Sequence, residues 1–240
     1  MTDAAARAPL FRAAGKGDVC AVLIALAEGG DVNCCDEDEM SPLMYAAYCS
    51  DEPEVCSVLI DAKSDLHSCD KRGMTALMHG AAGCHHKVCE LLVEASADIN
   101  KVESNGRSVL MYATDAASGA SAFDSARARE ICVLLLERQA EVDIQDSNGC
   151  TALLLASIAG STALLPELLK AGADTTLRDC YGSTAVEYAR AEGHESVVQL
   201  LTAASKASEA LQACLRQQQA YEEALASVEV SGDIAQPGAI

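Results

Sequence analysis

Six copies of one short anchor divide this chain: Ala8-Pro9-Leu10, Ser41-Pro42-Leu43, Thr75-Ala76-Leu77, Ser108-Val109-Leu110, Thr151-Ala152-Leu153 and Thr184-Ala185-Val186. Successive anchors are 33, 34, 33, 43 and 33 residues apart. Self-similarity at a period of that size is the signature of a solenoid, in which each repeat is one supersecondary unit. The third copy displays the unit in full. Residues 70–77 form a turn, 78–82 a short helix and 83–86 a second turn; 88–93 supply a second helix with an apolar stripe, and 97–100 lead out into a hairpin. Two helices of two to three turns cannot bury an apolar stripe alone, so the copies must stack to make a core.

The residues expected to face that core are Val22, Val58, Leu91, Leu134, Leu168 and Leu200 on second helices. Small residues, Ala13, Ala14, Ala46, Ala47, Ala81 and Ala113, would let the first helices approach closely. Two Phe, six Tyr and no Trp in 240 residues are thin for a globular enzyme but suffice for a stacked helical array. Cys20, Cys56, Cys89 and Cys132 follow Val19, Val55, Val88 and Ile131 and read as one core position, where a free thiol acts as a small hydrophobe. Pro166 reads as the same position in the fifth copy.

The pattern Asp70/Gly73/Thr75 returns as Asp146/Gly149/Thr151 and Asp179/Gly182/Thr184, and over residues 8–204 the chain resembles the ankyrin repeat. The resemblance implies an all-α solenoid of about six helix-turn-helix and β-hairpin repeats, starting near 8, 36, 70, 103, 146 and 179 within a domain over 1–204. Departures from the family pattern are local. At the helix exit, where the family has glycine in a left-handed conformation, Gly29 and Gly172 comply, whereas Lys63, Ser96 and Gln139 would each cost about 1 kcal/mol. Glu39 replaces the turn glycine before Ser41. The fourth copy carries an insertion near 117–126, which would form either a surface loop or a longer second helix returning Phe123 onto its own repeat.

After the last copy, residues 205–230 read as a separate helix with a coiled-coil-like seam of Leu211, Cys214, Gln218, Tyr221, Leu225 and Val228. It would cap the final repeat, pair with a partner helix or self-associate. Residues 231–240 read as a flexible tail.

A net charge of −19 repels nucleic acid and anionic membranes and favours a protein with a basic surface, although the same acid would also keep an apolar-rich array soluble. Neither a signal peptide nor a membrane span is readable. Twelve cysteines then point to the cytoplasm or another reducing compartment. No nucleophile-base motif, Walker-type loop or dinucleotide fingerprint occurs, so the chain reads as non-catalytic and without a cofactor. A metal or redox site is the alternative: Cys34 and Cys35 follow one hairpin, and His67 and Cys69 occupy the matching stretch of the next. His85 and His194 read as turn histidines.

The resemblance places a partner-binding face on the hairpin tips and inner helices: Asp36, Glu37, Asp38, Glu39, Tyr45, Tyr48, Lys71, Arg72, His79, Tyr112 and Tyr181, with Phe123 on the insertion. The expected function is a non-catalytic interaction module or assembly subunit, or else a regulatory subunit that inhibits an enzyme. The competing reading makes residues 36–39 a solvated turn and the tyrosines inter-repeat packing. Asn33 and Asn100 occupy the hairpin asparagine position that asparaginyl hydroxylases modify in similar proteins, which makes Asn100 a candidate acceptor.

Overall fold

The computed structural model describes residues 3–117 and 122–231; side chains are described from Pro9 onward, except at 122–124, 208, 209, 211, 212, 214 and 220–231. Among the described residues, six helix pairs follow in chain order. These are α1 (Asp3–Lys16) with α2 (Val19–Ala27), α3 (Pro42–Cys49) with α4 (Glu54–Asp61), and α5 (Ala76–Ala82) with α6 (His86–Glu94). They continue as α7 (Val109–Ala117) with α8 (Ala122–Glu137), α9 (Ala152–Ile158) with α10 (Leu165–Lys170), and α11 (Ala185–Ala191) with α12 (Glu195–Ser231).

The anchor hydroxyls explain where the first helices begin. Ser41, Thr75, Ser108 and Thr151 accept hydrogen bonds from the amides of Met44, Met78, Met111 and Leu154 at 3.3, 3.4, 3.4 and 3.2 Å, occupying donors that a helix start leaves unpaired. Ala8 has no such group. The first repeat departs accordingly: α1 starts at Asp3, ahead of the anchor, and carries Pro9 inside it.

The first helices stack as one row, α1 through α11, and the second helices as another, α2 through α12. One apolar core runs between the rows. The six alanines expected on the first helices are all buried, at 4% exposure or less. Hairpins form as turns; among the described residues, only the isolated bridges Val102 to Ser108 and Arg178 to Thr184 have strand pairing.

The helix exits keep the left-handed conformation without glycine, with φ of 71° at Lys63, 72° at Ser96 and 64° at Gln139, against 90° at Gly29 and 91° at Gly172. Cys84, at φ 58° in the turn between α5 and α6, is another such position, matching Gly17, Gly160 and Gly193. Replacing Lys63, Ser96 and Gln139 together by glycine is expected to raise stability by about 1–3 kcal/mol in all, since relief of left-handed strain exceeds the added chain entropy. A urea titration of the triple variant checks this.

These exits also correct the second-helix register. Seven residues before them stand Val22, Cys56, Cys89, Cys132 and Leu165, all fully buried, followed three residues on by Leu59, Leu92, Leu135 and Leu168 in the inner copies. Cys20 is therefore not in the buried cysteine column; it is exposed, and Val22 fills that place. Pro166 is likewise exposed beside the buried Leu165. Val22, Leu134 and Leu168 are buried as expected, Val58 and Leu91 are half-buried, and Leu200 is exposed.

One boundary differs from the sequence expectation. The helix expected to begin at 205 is the uninterrupted continuation of the last repeat's second helix, because nothing in Thr202-Ala203-Ala204-Ser205-Lys206 breaks helical geometry. Its first turns bury Val197, Val198 and Leu201 against the repeat. The seam side chains Leu211, Cys214, Tyr221, Leu225 and Val228 and the tail beyond 231 lie outside the described residues. In the fourth repeat, residues 122–126 of the insertion are the first turns of α8, which is 16 residues long, while the Phe123 side chain and residues 118–121 lie outside the described set. No described helix is long and apolar enough to cross a membrane.

Candidate protein-binding face

One device builds four of the hairpin tips. The acid that opens the turn accepts two backbone amides on Oδ1: Asp36 from Asp38 and Met40, Asp70 from Arg72 and Met74, Asp146 from Asn148 and Cys150, and Asp179 from Tyr181 and Ser183, all at 2.8–3.0 Å. In three of these tips the second oxygen braces the tip against the first helix. Tyr45 Oη donates to Asp36 at 2.8 Å, His79 Nε2 meets Asp70 at 3.0 Å, and Tyr188 Oη donates to Asp179 at 2.5 Å. In the last repeat this bond holds the Asp179 carboxyl below its ordinary range and pushes Tyr188 up to about 12. The fourth repeat varies the scheme: Arg107 lies over the Tyr112 ring, 4.7 Å from its centroid, and pairs with Asp115.

Neighbouring tips are joined through the backbone. The amides of Lys71, Ser104, Ser147 and Cys180 donate to the carbonyls of Asp38, Arg72, Asn105 and Asn148 at 3.0, 2.8, 2.7 and 2.7 Å, one bond at each boundary from the second repeat to the sixth. At the turn glycines of the third and fifth repeats the close approach leaves little room for a side chain. A Cβ on Gly73 would stand 2.9 Å from the Ser104 nitrogen, and one on Gly149 2.9 Å from the Asp179 Cα. Glu39 adopts the same left-handed backbone, φ 62°, with a side chain.

The hairpin bases are tied similarly. Asn33 Oδ1 accepts from the Asp65 amide at 2.8 Å and Asn100 Oδ1 from the Glu141 amide at 2.9 Å, so both asparagines link adjacent repeats. His85 Nε2 lies 2.9 Å from the Tyr48 carbonyl and His194 Nε2 3.0 Å from that of Ile158, each reaching the preceding repeat.

The residues nominated from sequence therefore divide. Asp36, Tyr45 and His79 are occupied in bracing tips, and Tyr112 lies beneath Arg107. Glu37, Asp38 and Glu39 are exposed on the second repeat's tip, with Lys71 Nζ 3.8 Å from Asp38. Arg72 is exposed and makes no ion pair among the described residues. Tyr48 is 56% exposed and Tyr181, at the last tip, 83%. Sequence reasoning missed the Tyr188–Asp179 brace, although Tyr188 stands four residues after its anchor as Tyr45 and His79 do.

His79 makes the tip of the third repeat pH-sensitive. Burial lowers its pKa below the ordinary imidazole value, and Arg72 adds to this; the hydrogen bond and charge of Asp70 oppose it without overcoming it. The unfolded chain thus binds a proton more readily than the folded one. The His79 contribution to stability is present above about pH 6.5 and is lost as pH falls through the window between that value and the lower folded one. His79→Tyr, which reproduces the neighbouring braces, is expected to flatten the pH dependence of the unfolding midpoint between about pH 7 and 5.

The metal alternative is not assembled. Cys34 is buried in the core, His67 is exposed, and Cys35 and Cys69 each direct a thiol to a nearby backbone carbonyl, at 3.7 and 3.5 Å. Among the described residues no three His, Cys, Asp or Glu side chains gather in an arrangement able to hold a metal ion. Burial pushes the Cys56 and Cys132 thiols up to about 12 and that of Cys89 higher still, which suppresses the nucleophilic thiolate. In native protein, iodoacetamide is expected to modify Cys20, Cys49 and Cys180 first and to reach Cys56, Cys89 and Cys132 only on unfolding. Peptide mass spectrometry of timed samples checks this order.

The stacked helix pairs, capped anchors and registered tips define a class of repeat protein, and the sequence comparison names it. The family model for ankyrin repeats in three copies matches residues 10–103, 49–122 and 120–212. The chain belongs to the ankyrin-repeat family, whose repeats are protein interaction modules. Among solved structures it is similar to a chain in the complex of the predatory endopeptidase Bd0816 from Bdellovibrio bacteriovorus with immunity protein Bd3460. That match has 25% identity and a TM-score of 0.68, over 81% of this chain and 96% of the other. An ankyrin repeat domain from Acinetobacter baumannii AYE gives 24% identity and a TM-score of 0.70, over 82% and 97% of the two chains. The ankyrin repeat domain of Bcl-3, of the IkappaB family, gives 23% and 0.69, over 82% and 85%. No curated protein matches the sequence.

Proposed function

We propose that this protein is a non-catalytic interaction module or assembly subunit that binds a protein partner through its hairpin tips and the adjoining concave face of the first helices. The observation that carries this reading is the tip-to-tip ladder: four backbone bonds hold successive tips in register before any partner arrives. A preformed face loses little conformational entropy on binding. Exposed Tyr48 and Tyr181 are suited to anchor the contact, and Glu37, Asp38 and Glu39, on a chain of net charge −19, favour a partner with a basic, partly apolar surface. Its setting is the cytoplasm or another reducing compartment, in keeping with twelve cysteines.

Affinity capture from the source extract tests the reading, with the wild type compared against Glu37→Lys/Asp38→Lys/Glu39→Lys, Tyr181→Ala and a chain ending at Ala204. Partners that are salt-sensitive, lost with the tip variants and kept by the truncation support it. Partners lost only with the truncation would assign recognition to α12. A second reading, a regulatory subunit that occludes an enzyme, draws support from the likeness to a chain of the endopeptidase and immunity protein complex. Inhibition of a captured enzyme by the wild type and not by the tip variants distinguishes it.

A further inference from the structure

The second helix of the first repeat differs from the others on its outer side. All nine residues of α2, Val19–Ala27, are apolar, a composition that belongs to a helix buried all round. Yet one face of it is open. Cys20, Leu23, Ile24 and Ala27 lie at helical spacing and are all exposed, Leu23 by 50% and Ile24 by 59%. At the places of Cys20, Leu23 and Ala27 the following second helices carry Glu54, Ser57 and Asp61, then Lys87, Glu90 and Glu94, then Glu130, Val133 and Glu137. Those columns are exposed except at Ser57 and Val133, which are half-buried, and in the fifth copy they hold Ala163, Pro166 and Lys170, all exposed, so the apolar character of α2 at these places is not a consequence of its standing first in the stack. Ile24 adds to it, because its counterparts Val58 and Leu91 pack against the core.

Acid frames this stripe. Asp18 caps the start of α2 through its bond to the Ala21 amide, Glu28 stands at its end, and Glu54 and Asp61 lie on the outer side of the adjoining α4; Lys16 and Lys63 are the nearest cations in sequence. A second copy of this chain fits poorly, because a two-fold contact would set these acids against their own kind. We infer that the outer face of α2 is a second docking surface, distinct from the tips, for an amphipathic helix that carries lysine or arginine beside its apolar stripe.

The probe is a fluorescein-labelled synthetic helix of leucine and lysine, about fourteen residues long and patterned at 3.6, with a control peptide of the same composition whose leucines are scattered. By anisotropy, the full chain is expected to bind the patterned peptide with a Kd on the order of micromolar and the scattered one far more weakly. Leu23→Gln/Ile24→Gln weakens binding about tenfold or more, while Tyr48→Ala/Tyr181→Ala leaves it unchanged. Bound peptide slows iodoacetamide modification of Cys20 but not of Cys180, a readout that needs no variant. Equal binding of both peptides, or unchanged affinity in the Leu23/Ile24 variant, overturns the proposal. A concentration-dependent dimer that this variant abolishes overturns it too, by making a second copy the occupant.

Discussion

Gly149→Ala is expected to destabilise the array by about 2–4 kcal/mol, a large effect for the addition of one methyl group. Two causes add. Gly149 has φ 76°, in the region where an L side chain is strained, and its Cβ would stand 2.9 Å from the Asp179 Cα and 3.1 Å from the Cys180 nitrogen. These are backbone atoms, so no side chain can rotate aside. The tips of the fifth and sixth repeats must move apart, which lengthens the bond from the Cys180 amide to the Asn148 carbonyl; it is 2.7 Å here, and the equivalent bond beside Glu39 is 3.0 Å. Gly172→Ala provides the comparison: φ is 91° there, but nothing lies within 4 Å of the added methyl, so only the conformational part, about 1 kcal/mol, is expected. Urea titrations of the two variants separate the terms.

The second large effect lies in the core. Leu92 is fully buried on α6, in the middle of the stack, and Leu92→Ala is expected to cost about 2–5 kcal/mol through lost burial and the cavity left behind. Because each repeat touches only its neighbours, a weak central interface also uncouples the two ends, and the unfolding transition should broaden. Leu200→Ala, at a position 37% exposed on α12, is expected to change stability by no more than about 0.5 kcal/mol. Equal losses at the two positions would contradict the register set by the helix exits.

The first helices were legible to within a couple of residues, the third being expected from 78 and found from Ala76, because their signals are local. A hydroxyl at Ser41, Thr75, Thr151 or Thr184 followed by small and apolar residues specifies a capped helix start wherever it occurs. The left-handed exits at Lys63, Ser96 and Gln139 were legible only through the resemblance, which places glycine there, because lysine, serine and glutamine do not themselves mark that backbone. The second-helix register was not, because Cys20 imitates the Val-Cys pair of the inner repeats. The Val19-Cys20 pair stands two residues further from its exit glycine than the inner pairs stand from theirs. Counting back from the exit, instead of forward from the cysteine, finds Val22.

At the face itself, residue type pointed to the right region but not to the role. Tyr45 and Tyr48 both read as contact tyrosines; only in three dimensions does Tyr45 reach Asp36 and leave Tyr48 open. The sequence places a boundary at 204 because the repeat ends there, but helices stop at glycine, proline or a lost hydrogen bond, and residues 195–231 contain neither glycine nor proline.

The central claim is that the tips form one preorganised face. Amide hydrogen exchange in the free protein tests it most directly, at Lys71, Ser104, Ser147 and Cys180, the four donors that join one tip to the next. The account expects these amides to be protected to a degree comparable with buried helical amides such as those of Leu92 and Leu135. Exchange at the rate of an unstructured peptide, with the helices still protected, would contradict it and leave the tips to be ordered by whatever binds them.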